Sequence, residues 1–350
     1  MTVQDASERE PAPPAPAVPP ARQLMSLVVG MWWSRAVAVA AELGVADQLV
    51  HGPQEVTALA GATRAHAPSL YRLLRGLSGA GVFAEVGPGV FAQTPLSALL
   101  RADGADSLRE EVLLLGGEWH WRAWGALGHA VRTGQAAVDH LFGQDLFSYF
   151  AAQDPQAGEL FHRRLSAGGH AAVLAAYDFA GLEVVADLGG GRGTLLGALE
   201  AAYPRLRGLL LERPEVIAHV RAAGIEGRLD ERIALISGDF FAAVPPADAY
   251  LLRKVLHAWS DEESARILAN CRRAVRRGGR VLVLEQIVPP WDEWGGLKFG
   301  DLEMLVLTHG RERTEAEFRA LFAAAGLRLA RIVPTASEVS ILEGHAADGS

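Results

Sequence analysis

The chain has 350 residues, half of them hydrophobic, enough for two domains with cores of their own. Its 33 Lys and Arg against 41 Asp and Glu give a formal charge of -8, which argues against nucleic acid as the main partner, since phosphate binding needs a basic face. A lone cysteine, Cys271, leaves no disulfide framework or thiolate metal cluster and suits a reducing cytoplasm.

Residues 1–20 place acids early and then a proline run where a signal peptide would need an apolar core, so a disordered tail is expected. Residues 21–105 read as a winged-helix-like domain. LMSLVVGMWWSRAVAVAAELGVADQLV is apolar almost all round, the pattern of a helix buried on several sides, often by another subunit. No unbroken stretch of 18 apolar residues occurs, so no membrane span is expected. Two short amphipathic helices follow, then VFAEV, a GPG turn and VFAQT, which together make a helix-turn-helix with a two-stranded wing. Such a domain binds DNA or dimerises. The second helix, APSLYRLLRGLSGAG, offers only Arg72 and Arg75, so dimerisation is the expectation. Residues 106–181 are again mostly helical. Trp119, Trp121 and Trp124 are either plain core or, with Phe161, walls of a flat apolar pocket.

From Leu182 to the end, residues 182–350, strand and helix texts alternate: LEVVADLGG, LRGLLLE, ERIALISGD, DAYLLRKVLH and RVLVLEQIV are strands with helices between them, the last of these helices reading SDEESARILANCRRAVRRGG. This predicts an α/β, Rossmann-like doubly wound, mostly parallel sheet. LRLARIV and SEVSILEG are too close for a crossover helix and form an antiparallel C-terminal hairpin.

The first strand ends DLGGGRGT, with Gly189, Gly191 and Gly193 alternating at a strand-to-helix turn, where glycine lets a ligand approach the backbone. Asp187, just before the glycines, repels a pyrophosphate and attracts an ammonium group. Glu212 ends the next strand, where an acid holds both ribose hydroxyls. SGDFF ends the third strand; Asp239 can accept from an adenine amino group and Phe240 can cover the ring. Two acids and a glycine turn without phosphate chemistry fit S-adenosylmethionine better than a dinucleotide.

His257 lies just past DAYLLRKVL, Glu285 just past RVLVL, and Glu312 in the loop THGRERT, so three polar residues converge on the sheet edge where open α/β folds bind ligands. The SDEE that follows His257 is a capping box, Ser260 with Glu263, and explains the helix start but not the histidine. No run of clustered acids offers a metal site, and no histidine spacing stands out as a ligand set.

DLGGGRG, SGDFF, VLHAWSDEE, LVLEQIVP and HGRERTEAEF together resemble the class I S-adenosylmethionine-dependent O-methyltransferases of the caffeic acid and bacterial antibiotic-pathway type, over roughly residues 20–345. The resemblance implies a cytoplasmic homodimer that methylates a hydroxyl of a small aromatic or polyketide-like acceptor without a metal. It implies His257 as general base flanked by Glu285 and Glu312, and Gly189, Gly191, Glu212, Gly238, Asp239, Phe240 and Arg253 beside the cofactor. Leu165 stands where the family has a substrate-pocket methionine, and Met304 joins Trp119, Trp124 and Phe161 as candidate acceptor contacts. Two departures are visible: the ribose acid is Glu212 where Asp is usual, and Ala258 follows the histidine where Asp is common. Two other readings stay open, a relative that binds the cofactor for hydroxylation or a pericyclic step, and a winged-helix regulator.

Overall fold

The computed structural model describes residues 19–104, 106–166, 168–225, 231–289 and 297–347. Most of the expected tail lies outside them, and Pro20 already opens a helix. The chain divides into two compact units between Gly116 and Gly117.

The first unit begins with helices Pro20–Val28 and Gly30–Glu42. Its helix-turn-helix, Val56–Thr63 and Ala67–Gly79, packs Leu70, Leu74 and Leu77 inward, a spacing that puts all three on one helical face. The wing is β2 (Phe83–Gly87) and β3 (Val90–Gln93). A short β1 (Gln54–Glu55), not expected from the sequence, pairs with β3 to give the antiparallel order β1-β3-β2. The first helix buries none of its residues; Leu27 is 71% and Trp32 of the second helix 68% exposed. Pro20–Glu42 is a helical run of 23 residues reaching a mean hydropathy of 1.5, long and apolar enough to cross a membrane by length and composition alone, a weak sign that the core helix of a soluble protein also gives.

The second unit is built on β4 (Val184–Leu188), β5 (Arg207–Glu212), β6 (Ile233–Ser237), β7 (Ala247–Arg253), β8 (Val275–Glu285), β9 (Leu327–Pro334) and β10 (Ser340–Ala346). Their order is β6-β5-β4-β7-β8-β10-β9. β4 to β8 pair in parallel, while β10 runs antiparallel to both β8 and β9. The central strands read as unbroken apolar text because helices cover both faces: Leu251 and Leu282 point into one core, Leu252 and Val283 into the other, all fully buried. The order reverses between β4 and β7, and a crevice opens beyond the C-terminal ends of strands there.

One local difference from the sequence reading has a physical cause. The helix after β7 stops at Ala274, and the RRGG text belongs to β8. Val275 is already extended (ψ 134°), and at Gly279 a Cβ would come within 2.5 Å of the Asp248 carbonyl oxygen, so only glycine lets this strand pass. The helix Leu297–Leu307 was not expected within the strand–helix alternation.

The capping box is formed. Ser260 Oγ accepts from the Glu263 N–H at 3.3 Å, and Glu263 Oε2 accepts from the Ser260 N–H at 3.1 Å. Ser260→Ala is expected to destabilise the fold by about 1 kcal/mol, read as a lowered midpoint in thermal unfolding.

Candidate active site

The crevice holds a cavity of about 940 Å³. Its floor is the glycine turn after β4. Gly189 has φ +66°, and a Cβ at Gly190 would lie 2.3 Å from Asp187 Oδ2, so the turn can pass over this carboxylate only without side chains. Asp187 is almost wholly buried, and its Oδ1 has no hydrogen-bond partner among the described residues. Burial, then the nearby Glu212 charge, pushes its carboxyl up to about 7, against a smaller opposing pull from Arg253. Glu212 ends β5 and folds back over the turn. Its Oε1 accepts from the Gly191 N–H at 3.0 Å and its Oε2 from the Arg213 N–H at 2.8 Å. Burial raises the Glu212 carboxyl, and these two N–H groups offset part of that.

Gly238, Asp239 and Phe240 follow β6 and close the next side of the cavity. Asp239 Oδ1 accepts from the Phe241 N–H at 2.8 Å. Arg253 lines the cavity as well, and its guanidinium donates to the carbonyls of Leu165 (3.1 Å) and Gly168 (3.0 Å). All the residues expected beside the cofactor thus surround one space.

The facing wall comes from helices Leu146–Ala152 and Pro155–Ser166. Phe147, Phe150, His162 and Leu165 line it, with Trp259 from the sheet side. An ion pair between Arg192 of the glycine turn and Glu159 joins the two walls. Of the expected acceptor contacts, Leu165 reaches this cavity. Phe161 packs on Phe150 (centroids 5.4 Å), Trp119 on Phe150 (4.9 Å), and Trp124 donates to Glu303; these three and Met304 are not among the lining residues. His162 and Trp259 were missed as lining residues. Trp259 reads in the sequence as packing beside a helix cap, and nothing in the spacing of His162 distinguishes it from its neighbours.

The three convergent residues meet. His257 sits in a single 3₁₀ turn, Leu256–Ala258, after β7. Glu285, fully buried at the end of β8, accepts from the N–H groups of Leu256 (2.9 Å) and His257 (3.3 Å) through Oε1. It therefore holds the backbone of the turn, and its Oε2 lies 3.8 Å from Nδ1. Glu312 Oε1 is the direct partner of Nδ1 at 2.9 Å. An ionised carboxylate only accepts, so a neutral His257 carries its proton on Nδ1, and Nε2 presents a lone pair with no hydrogen-bond partner among the described residues. Burial disfavours the charged ring, but the Glu285 charge and the Glu312 hydrogen bond outweigh it and raise the His257 pKa. His257 itself is not a lining residue of the cavity; its neighbours Val255 and Ala258 are. Among the described residues, these three are also the group whose donor atoms lie within 4.8 Å of one another, as a metal site requires. Here the Nδ1–Glu312 hydrogen bond accounts for the closest approach.

Arg313 locks the turn from beneath. It is 1% exposed and donates to the carbonyls of Leu256 and Trp259 (each 2.9 Å) and to Asp261 Oδ1 (2.8 Å). The sequence gives no sign of this, since an arginine in RERT reads as solvated.

An O-methyltransferase domain model matches residues 124–328, and an O-methyltransferase dimerisation domain model matches residues 25–103. The chain is 40% identical over 337 residues to the phenazine O-methyltransferase of Lysobacter antibioticus, covering 95% of this chain and 98% of that one. The chain belongs to the O-methyltransferase family. A solved structure of a mitomycin 7-O-methyltransferase superimposes with a TM-score of 0.87 at 41% identity, over 93% of this chain and 98% of that one. An O-methyltransferase from neocarzinostatin biosynthesis, solved with S-adenosyl-L-homocysteine and 1,4-dihydroxy-2-naphthoic acid, superimposes with a TM-score of 0.81 at 35% identity, over 89% and 95%. The protein is an S-adenosylmethionine-dependent O-methyltransferase.

The cavity of this O-methyltransferase fits that cofactor. A buried carboxylate oxygen without a donor, at Asp187, is the complement of an ammonium group. Glu212, Asp239 and Phe240 line the same cavity.

Two outcomes are expected. Arg313→Ala leaves buried carbonyls without donors and destabilises the protein by roughly 2–4 kcal/mol, checked by the midpoint of urea unfolding. Asp187 binds a cation only when ionised, and its raised pKa keeps it partly protonated near neutrality. Cofactor affinity therefore falls as the pH drops through about 7. Calorimetric titrations from about pH 6 to about pH 8 show this for the wild type, while Asp187→Asn binds at least tenfold more weakly with a flat profile.

Proposed function

We propose that this O-methyltransferase methylates a phenolic hydroxyl of a flat aromatic or polyketide-type acceptor, with His257 Nε2 as the general base. The observation that carries the reading is the 2.9 Å hydrogen bond from Nδ1 to Glu312, which leaves Nε2 without a partner among the described residues, in a turn whose Val255 and Ala258 line the cavity. When bound, S-adenosylmethionine supplies an electrophilic methyl on a sulfonium. The protein then has two tasks, to align the acceptor oxygen and to remove its proton. A phenol has a pKa near 10 and is a poor nucleophile at neutral pH. His257 Nε2 takes its proton as the oxygen–carbon bond forms, and Glu312 stabilises the imidazolium through Nδ1. Such help is typically worth about 10²–10⁴-fold.

The aromatic side chains Phe147, Phe150 and Trp259 make a cavity wall that suits a flat acceptor. The phenazine, mitomycin and naphthoic acid named for the relatives are chemically consistent with this. Homodimerisation is part of the reading. The dimerisation-domain match covers the exposed run from Met25 to Trp33, an apolar surface that a second copy would remove from water. The acidic protein is read as cytoplasmic, with no nucleic acid or membrane partner.

A base works only when neutral. Because the two carboxylates raise the His257 pKa, turnover is expected to fall on the acid side with a midpoint above the ordinary histidine value of about 6.5. Initial rates across pH with a phenolic panel, reading demethylated cofactor against methylated product, check this. His257→Ala should lower kcat at least tenfold and flatten that limb, and Glu312→Gln should move the limb to lower pH. A His257→Ala enzyme with wild-type kcat would remove the base from the mechanism.

A further inference from the structure

We infer that Asp301 is a positioning residue for methyl transfer, fixing Glu312 behind His257, and that a clamp of Glu303 with His120 and Trp124 holds Asp301 in register. The inference rests on the reading of His257 as the base.

The clamp is explicit in the bonding. Glu303 lies on the helix Leu297–Leu307, and its Oε1 is 2.8 Å from His120 Nε2 while its Oε2 accepts from Trp124 Nε1 at 2.6 Å. His120 and Trp124 are four residues apart on the helix Glu118–Gly125, so both donors leave the same face and grip one carboxylate. The Glu303 and His120 side chains are 18% and 10% exposed, so water is a poor substitute for either bond. Two bonds to one side chain fix both the rotation and the height of the helix.

Asp301 precedes Glu303 by two residues, roughly 200° around the helix. It therefore faces away from the clamp, and its Oδ1 accepts from the Glu312 N–H at 2.9 Å. The rest of the connection is equally confined. Thr308 N–H bonds back to the Met304 carbonyl at 2.8 Å, and His309 Nε2 pairs with Asp139 Oδ2 at 2.6 Å. Gly310 lies so close to the His257 carbonyl oxygen that a Cβ there would be 1.9 Å away. The backbone at Glu312 is thus set by Asp301 from one side and by the His257 turn from the other. This bears on chemistry because Nδ1 has two carboxylates to choose from, Glu312 at 2.9 Å and Glu285 at 3.8 Å. Holding Glu312 close keeps the ring bonded to it, and so fixes where Nε2 points.

The charged groups facing His257 are Glu285 from β8, Glu312 from its loop and Lys254 from the end of β7. Asp301, Arg313 with Asp261, and the His309–Asp139 pair stand around them. A pH profile therefore has to separate the charge of Asp301 from its hydrogen bond, and the asparagine variant does so because its carbonyl still accepts the Glu312 N–H.

The experiment measures kcat and KM across pH for the wild type, Asp301→Ala, Asp301→Asn and Glu303→Gln, with His257→Ala and Glu312→Gln as references. Cofactor binding by calorimetry confirms that each variant is folded. Asp301→Ala should lose about tenfold in kcat, keep KM for S-adenosylmethionine within about twofold, and shift its acid limb in the direction of Glu312→Gln. Asp301→Asn should restore most of the rate and the limb. Glu303→Gln keeps one acceptor oxygen and should show a smaller loss with the same shift, which is the deciding arm if Asp301→Ala does not fold. A wild-type pH profile in Asp301→Ala or in Glu303→Gln, or an Asp301→Asn enzyme as slow as the alanine variant, overturns the inference. If His257→Ala is slow while these variants behave as wild type, only the positioning role fails. If His257→Ala keeps wild-type kcat, the base reading falls and this inference with it.

Discussion

A carboxylate taken out of water must be answered by donors, by a cation or by a proton. That constraint organises this site, because several acids end up on one edge of one sheet. Glu212 is answered by the N–H groups of Gly191 and Arg213, and Glu285 by those of Leu256 and His257. Glu312 is answered by the imidazole of His257. Asp187, Glu285 and Glu312 each keep one buried oxygen that meets no donor among the described residues, and of the three only Asp187 lines the cavity. A cationic group in the cavity would complete an electrostatic arrangement that the protein begins.

The same bonds divide the labour between the two glutamates. Glu285 holds the backbone of the turn that carries His257, while Glu312 holds its ring. Both raise the basicity of the imidazole, which strengthens it as a proton acceptor and reduces the fraction that is neutral near pH 7. The Ala258 that replaces a common aspartate thus leaves His257 with two carboxylates nearby. Arg313 supports the arrangement by satisfying the carbonyls of the same turn, so His257 sits on a rigid corner.

Much of the fold was legible because its signals are local. Apolar runs of strand length separated by amphipathic helical text led to the parallel sheet, and the short spacing of the last two strands forced the hairpin. The capping box of Ser260 and Glu263 was visible because it lies within four residues. RRGG at the start of β8 was misplaced because the extended geometry at Val275 and the close approach at Gly279 depend on the neighbouring strand. The glycine turn and the acids that line the cavity were legible for a related reason: they occupy fixed offsets after strand ends. The acceptor side was less so. Trp119 and Phe161 pack against Phe150, and nothing in an aromatic cluster tells lining from backing.

By itself the sequence determined the strand–helix alternation, the glycine turn, the three strand-end acids and the delivery of His257 and Glu285 to one sheet edge, since periodicity and strand ends fix all of these. Tertiary structure alone decided which glutamate touches the ring, which arginine is buried, and that Asp301 bonds the Glu312 backbone while Glu303 bonds His120 and Trp124. Those outcomes turn on differences of about an ångström between side chains far apart in the chain, and no local pattern of residue types encodes such a distance.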